Sequence, residues 1–337
     1  MRRLCAIMLP GGMYMKQMLK DFGLSLAMGV LVPYLFLSFG VTLLNRYREQ
    51  TIPPASARTE AVQQAKVALP VQRRDKDTVT EMNMDDYLVG VVLAEMPASF
   101  ETEALKAQSC VARTYAWKAY TTGGKHKDGS VCGVSSCCQG YRSEEDYLAA
   151  GGMAEAVDRV RSAVCATSGC VLTYGGELIE ATYFSCSGGR TEDAVAVWGT
   201  EFPYLQAVDS PGEEQASCFS DNQYFSAEAF ARALGISTEG EPDSWLGMTL
   251  YTEGGGVHTI TIGGKEFRGT EVRNLLGLRS TVFSITADPS GFLVTTKGYG
   301  HRVGMSQYGA DAMAKNGSTW EEILKHYYSG AEVTRLS

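Results

Sequence analysis

One carboxyl stands in the apolar run Tyr87-Leu88-Val89-Gly90-Val91-Val92-Leu93-Ala94-Glu95-Met96-Pro97. Glu95 follows Leu88 by seven residues, Val91 by four and Val92 by three, so on a helix it shares a face with apolar side chains. Asp85 or Asp86 can cap the start of that helix, and Pro97 ends it. Partial burial disfavours the carboxylate, and so does the negative end of the helix dipole in the last turn. Both raise the pKa, as a general acid working near neutral pH requires. The alternative is a structural glutamate that caps backbone or pairs with Lys106 or Arg113.

A second cluster follows. His126, Cys132 and Cys138 are spaced His-x5-Cys-x5-Cys, with Cys137 adjacent and loop residues between them. One imidazole and two thiolates suit zinc, with water or Cys137 in the fourth position. A disulfide plus a free thiol, or three unligated thiols, are the other readings of the same residues. The chain has nine cysteines, an odd number that does not make a regular disulfide framework.

Two glycine-rich loops could line a cleft. Tyr183-Phe184-Ser185-Cys186-Ser187-Gly188-Gly189-Arg190-Thr191 closes a strand, and its glycines let backbone approach a ligand. Gly298 to Gly309 holds His301 and Gln307 and leads into a helix. Neither is a phosphate loop, because no Gly-Lys-Ser/Thr follows. Gln108 and Arg113 lie on the helix expected over 101–120, whose small residues Ala104, Ala107, Ala112 and Ala116 allow close packing. Both could orient Glu95 or a substrate, or could satisfy loop backbone.

These residues need elements to position them. Residues 171–174, a Gly175-Gly176 turn and 178–184 read as two strands joined by a tight turn. Thr319 and Glu322 form a capping box for a last helix, with Gly330 past its end. Residues 210–290 start in an acidic loop and continue in short alternating runs, as a small α+β unit inserted in a larger one. Phe22 to Leu44 is an apolar run of 23 residues, which as a helix spans roughly 34 Å and crosses a hydrocarbon core of about 30 Å. Basic residues before it put the N-terminus in the cytoplasm and the rest outside. The expected fold class is therefore α+β. A cytoplasmic segment (1–21), a transmembrane anchor (22–44) and a tether (45–78) precede a mixed α/β catalytic domain (79–209 with 291–337). The inserted domain (210–290) forms a cleft with it. Beyond residue 50 the chain has 24 basic and 36 acidic residues, a charge of −12 that excludes nonspecific nucleic-acid binding and fits a neutral polymer better.

Taken together, the run Tyr87–Pro97, Glu103 to Gln108, Ala112 to Ala116, Ser187 to Thr191 with Trp198, and Gly304 to Ala310 resemble the stage II sporulation protein D family of cell-wall lytic transglycosylases. The motifs stand in the family's order, and the anchor fits its sporulation members rather than its amidase-enhancer relatives. The resemblance puts the catalytic role on Glu95 and a structural zinc on His126, Cys132 and Cys138. It implies substrate contacts at Gln108, Arg113, Tyr183, Ser187, Gly188, His301 and Gln307. Two departures stand out: Cys137 where the family often has His, and Tyr299 and Arg302 in place of Trp and Gly.

The implied reaction cleaves the MurNAc–GlcNAc bond of peptide-stripped peptidoglycan strands to anhydro-muramyl ends, in forespore engulfment. The implied setting is the mother-cell membrane, facing the intermembrane space. The implied partners are the amidase of the engulfment machinery (stage II sporulation protein P) and its membrane scaffold. Competing readings are a noncatalytic glycan-binding activator of an amidase and a zinc hydrolase.

Overall fold

The structure is a computed structural model describing residues 70–75, 78–237 and 239–336. β1 (Pro70–Asp75) and β2 (Thr78–Asn83) pair antiparallel, and β2 leads directly into α1 (Met84–Glu95). Asn83 caps α1, its side chain accepting from the Asp85 amide at 2.9 Å. The acidic pair expected for that task is used elsewhere. Asp85 turns inward to Arg113 and accepts the Ser168 hydroxyl at 2.6 Å, while Asp86 faces Arg161. Met96 follows in extended backbone, φ −128° and ψ 138°, as the residue before a proline prefers.

α2 (Thr102–Thr122) is the axis of the first core, and Ala104, Ala107, Ala112 and Ala116 are buried along it. β3 (Val131–Cys132) runs parallel to β1. α3 (Glu144–Ala149) and α4 (Ala154–Ala166) follow, and α4 packs on α1 and α2. β4 (Cys170–Tyr174) turns back through Gly175 and Gly176, with φ of 59° and 87°, into β5 (Glu177–Leu178). Positive φ at both central residues is the expected geometry of a tight hairpin turn. The second arm does not continue to Phe184 as the sequence predicted. Ile179 and Ala181 bury their side chains in the core, and β6 (Tyr183–Phe184) joins another sheet.

α5 (Ala194–Trp198) leads to a second core. β7 (Ser220–Ser226), α6 (Ala227–Leu234), β8 (Leu246–Tyr251), β9 (Val257–Ile262), β10 (Lys265–Arg268), α7 (Gly269–Leu276), β11 (Val282–Asp288) and β12 (Gly291–Lys297) build it. They form two three-stranded sheets, β10-β9-β8 and β11-β12-β7. Phe230 stacks on Phe292 with ring centroids 4.0 Å apart, and Trp245 packs beside Phe292. The chain then returns to the first core through β13 (Met305–Ser306), α8 (Gln307–Lys315), α9 (Trp320–Tyr327) and β14 (Glu332–Arg335). β13 lies parallel to β6, and β14 extends the sheet of β4. The expected Thr319–Glu322 capping box is present at the start of α9.

The fold is mixed α+β, and the expected membrane-spanning helix is corrected. Among the described residues no helix is long and apolar enough to cross a membrane. α2, at 21 residues, is long enough but carries Glu103, Lys106, Arg113 and Lys118. The span expected over 22–44, with the tether up to residue 69, lies outside the described residues.

Arg113 is the main internal tie of the first core. It is 0% exposed. Its guanidinium pairs with Asp85 at 3.0 Å and donates to the carbonyls of Val164, Thr167 and Cys170 at 3.2, 2.7 and 3.2 Å. Two of those carbonyls lie at the C-terminal end of α4, where a cation offsets the helix dipole. Arg113→Met leaves Asp85 buried without its cation. We expect a loss of about 3–5 kcal/mol in a urea unfolding transition. A loss under about 1 kcal/mol, as for an exposed pair, would contradict the assignment.

Candidate active site

Glu95 is the last residue of α1. Tyr87, Leu88, Val91 and Val92 anchor the preceding turns in the core, which leaves the carboxyl half-buried at the helix end. Burial raises its pKa, opposed by hydrogen bonds from the Gly140 amide and the Tyr183 hydroxyl. The Gly140 N–H donates directly to Oε1. A Cβ at residue 140 would lie 2.8 Å from that oxygen, so glycine is what permits the approach. Tyr183 is held in its protonated form by burial and by the charge of Glu95. Its oxygen lies 3.2 Å from Gln139 Oε1. The single phenolic proton can therefore serve the Glu95 carboxylate, or turn to Gln139 while a protonated Glu95 donates to the phenol oxygen. Gln139 is fixed from its other end, Nε2 donating to the Ala112 carbonyl at 3.3 Å and to the Tyr87 hydroxyl at 3.4 Å.

Gln139 and Gly140 end the cysteine loop. His126, Cys132, Cys137 and Cys138 place one ligand atom each within 4.8 Å of all the others. Cys137 Sγ lies 3.7 Å from His126 Nε2 and 3.9 Å from Cys138 Sγ. Tetrahedral zinc with bonds of about 2.3 Å to sulfur separates its sulfurs by roughly 3.8 Å. The donor set and its spacing thus fit a zinc ion with a closed Cys3His shell, and Cys137 completes the expected trio.

The two glycine-rich loops meet around a different carboxylate. Glu213 is 1% exposed. Its Oε2 accepts from the Ser187 amide at 2.9 Å, the Ser187 hydroxyl at 2.7 Å, the Gly188 amide at 3.0 Å and the Cys186 thiol at 3.3 Å. Oε1 accepts from Ser210 at 2.9 Å and from Ser306. Ser306 also caps α8 through the Gly309 amide. Arg302, at a left-handed φ of 69°, is buried and donates to the carbonyls of Ser187, Arg190 and Gly254. It also pairs with buried Glu192 at 3.6 Å. Next to it His301 lies beside Trp198 and Phe184, with centroids 5.4 and 5.7 Å away. Burial and the nearby Arg273 charge lower its pKa to about 4, against a hydrogen bond with the Tyr183 backbone. The ring is neutral near pH 7. A cavity of about 290 Å³ opens beyond Trp198, between α5 and residues 252–281, with Val195, Thr252, His258 and Arg268 in its walls. Glu95 is not among its lining residues.

The chain is 34% identical over 332 residues to the stage II sporulation protein D of Bacillus subtilis (strain 168), covering 95% of this chain and 96% of that protein. The chain belongs to the stage II sporulation protein D family. A second member, from Bacillus amyloliquefaciens, is 35% identical over 288 residues, covering 84% of this chain and 83% of that protein. A protein of Bacillus subtilis named amidase enhancer is 31% identical over 300 residues, or 73% of this chain and 40% of that protein. The family model described as stage II sporulation protein matches residues 72–174. That segment holds Glu95, Arg113, the cysteine cluster and Gly140. Tyr183, Glu213 and His301 lie beyond it.

Within this family member the residues expected at the site divide into groups. Tyr183 meets Glu95, and His301 bonds to the Tyr183 backbone. Gln108 and Gln307 meet each other, Gln307 Nε2 donating to Gln108 Oε1 at 3.4 Å, and both are buried. Arg113 is in the core rather than facing a ligand, because it serves Asp85 and α4. Ser187 and Gly188 spend their donors on buried Glu213. Gln139, Gly140 and Glu213 were not anticipated. The first two directly follow Cys138, and their place is set by how the end of the cysteine loop folds back on α1 and α2. Glu213 gave no signal, since a polar loop is where acidic residues are ordinary.

The Glu95 pKa supplies a test. Gly140→Ala forces the amide away and removes a donor to the carboxylate, so the Glu95 pKa should rise further above its already raised value. Carbon-13 NMR titration of labelled glutamate measures this; an unmoved or lower value would contradict the contact.

Proposed function

We propose that the protein is a peptidoglycan lytic transglycosylase, cleaving the MurNAc–GlcNAc bond of peptide-stripped glycan strands during forespore engulfment. The observation that carries this reading is Glu95 itself: a half-buried carboxyl with a raised pKa, gripped by one amide and one phenol. Among the described residues no second carboxylate contributes to its shift. Glycosidases that use water need two carboxylates, about 5–5.5 Å or 6.5–9.5 Å apart. A transglycosylase needs one.

Protonated Glu95 gives its proton to the glycosidic oxygen as the bond from muramyl C1 to that oxygen breaks. The muramyl 6-hydroxyl oxygen then bonds to C1, and its proton passes to the Glu95 carboxylate. The acid is regenerated, water is not consumed, and the products are a 1,6-anhydro end and a free GlcNAc 4-hydroxyl. The Gly140 amide and Tyr183 hydroxyl stabilise the carboxylate between the two transfers, while burial favours the protonated form.

Zinc belongs to this proposal as a structural group. His126, Cys132, Cys137 and Cys138 would hold it. Bound there, the ion would cross-link the loop that presents Gln139 and Gly140 to Glu95. A shell closed by four protein ligands leaves no place for a reactive water, which argues against a zinc hydrolase. The domain would act outside the cytoplasm, where its substrate lies, next to the amidase that strips the peptides. The relative named amidase enhancer favours a second reading, a noncatalytic glycan-binding activator of a cell-wall amidase.

Glu95→Gln separates the two. We expect it to lower release of anhydro-muramyl products from peptide-free strands at least about a hundredfold, by mass spectrometry. Full activity in the variant would contradict the role given to Glu95; no strand cleavage by either protein, with both stimulating an amidase equally, would favour the second reading. Turnover needs the protonated acid, so it should fall as pH rises through the raised Glu95 pKa, above the ordinary carboxylate range. A limb at the ordinary range, near 4.3, would contradict the assignment. Elemental analysis should find about one zinc per chain, and chelation should lower thermal stability and activity together. Activity lost with no change in stability would instead point to a metal at the reacting centre.

A further inference from the structure

Three cations stand near His301, and among the described residues only one of them, Arg279, pairs with a carboxylate. Arg273, on α7, is half-buried, and its Nε donates to the Leu278 carbonyl at 3.4 Å. Among the described residues it has no ion-pair partner. The Leu278 carbonyl that holds it precedes Arg279, whose own carbonyl accepts from the Gly300 amide, which sets Arg273 beside the segment of Tyr299 and His301; its charge bears on both. Arg279, a few residues on, sits 5.7 Å from the Tyr299 ring centroid and pairs with Asp221 at 3.2 Å. Lys125 reaches His301 electrostatically from the side of the cysteine loop. In a chain of net charge −8, a partly buried arginine with no counter-charge is a local exception. Leaving a cation in a partly desolvated position is costly unless an anion completes it.

Exposed rings flank the same place. Trp198 is 42% and Tyr299 49% exposed, although both are large and apolar. Both are fixed from behind: Trp198 lies against His301, and the Tyr299 backbone exchanges hydrogen bonds with Cys186. The Gly300 amide donates to the Arg279 carbonyl, which ties this strand to the second core. Exposed flat rings on a rigid support can take the apolar C–H face of a pyranose, and the arginine supplies forked donors for a carboxylate. His301 links the patch to the acid, since it bonds to the backbone of Tyr183, whose hydroxyl reaches Glu95.

We infer that Arg273, with Trp198 and Tyr299, forms a subsite for a carboxylate carried on a sugar ring. This rests on the glycan reading proposed above, in which that group is the lactyl carboxylate a muramyl residue exposes once its stem peptide is gone. While a peptide is attached, the carboxyl is an amide and offers Arg273 no charge. The subsite thereby gives a physical reason for preferring stripped strands.

Calorimetric titration tests this on the full-length Glu95→Gln protein, which should not consume the ligand. Two probes are compared: a peptide-free muramyl-containing tetrasaccharide, and the same compound with its lactyl carboxyls converted to methylamides. We expect the carboxylate form to bind at least about tenfold more tightly, as a charge-assisted bidentate contact allows. Adding Arg273→Gln should erase that preference while leaving affinity for the methylamide form within about twofold, which also shows that the variant is folded. Arg273→Lys should keep part of the preference. Equal binding of the two probes, or a preference that survives Arg273→Gln, would overturn the inference and leave the glycan reading standing. No binding of either probe would overturn both.

Discussion

The hydrogen bond from the Gly140 amide to Glu95 is the contact on which the site depends. It joins the end of α1 to the end of the cysteine loop, where Gln139 also donates to Tyr87 and the Arg142 amide to the Gly90 carbonyl. α1 brings Glu95 to the surface while Tyr87, Leu88, Val91 and Val92 of its earlier turns are fully buried. The loop brings Gly140 there with Gln139 held by Tyr87 and the Ala112 carbonyl and Arg142 bonded to Gly90. A carboxyl at a helix C-terminus, partly desolvated, is held in a state it does not favour. Burial disfavours its ionised form while the amide and the Tyr183 hydroxyl favour it, a balance that the proposed proton transfers would use.

Three further buried charged residues hold the frame around this pair. Glu213 gathers donors from Cys186, Ser187, Gly188, Ser210 and Ser306, which fixes the strand carrying Tyr183 against the start of α8. Arg302 and Glu192 join the same region to the turn at Thr252–Gly256 in the second core. Such groups contribute little net stability over an apolar replacement. Left half-satisfied they are costly, so they exclude alternative arrangements of the loops. The glycine-rich segments therefore serve shape first: their donors point inward, and the surface they leave to a ligand is made of side chains such as Trp198, Tyr299 and His301.

What could be read from the sequence was local. The placement of Glu95 followed from helical spacing in an apolar run, the His and Cys cluster from the residue types in one short loop, the hairpin from two adjacent glycines, and the last helix from its capping box. What failed was long-range. Arg113 looked available because its partners, Asp85 and the end of α4, lie 28 and about 50 residues away. Ser187 and Gly188 looked like ligand donors because Glu213, 26 and 25 residues on, gave no sign of burial. The strand expected over 178–184 broke because Ile179 and Ala181 gain more from the core than from continued pairing. Period and composition do not encode which distant partner claims a polar group.

The central claim is that one carboxyl performs the whole reaction without water. Isotope labelling of the product ends tests it most directly. Peptide-free glycan strands are cleaved by the full-length protein in water enriched in oxygen-18, and the new muramyl ends are examined by mass spectrometry. The account predicts 1,6-anhydro ends that carry no heavy oxygen, because the attacking oxygen comes from the sugar itself. Reducing ends that carry one oxygen-18 atom would show hydrolysis and contradict it.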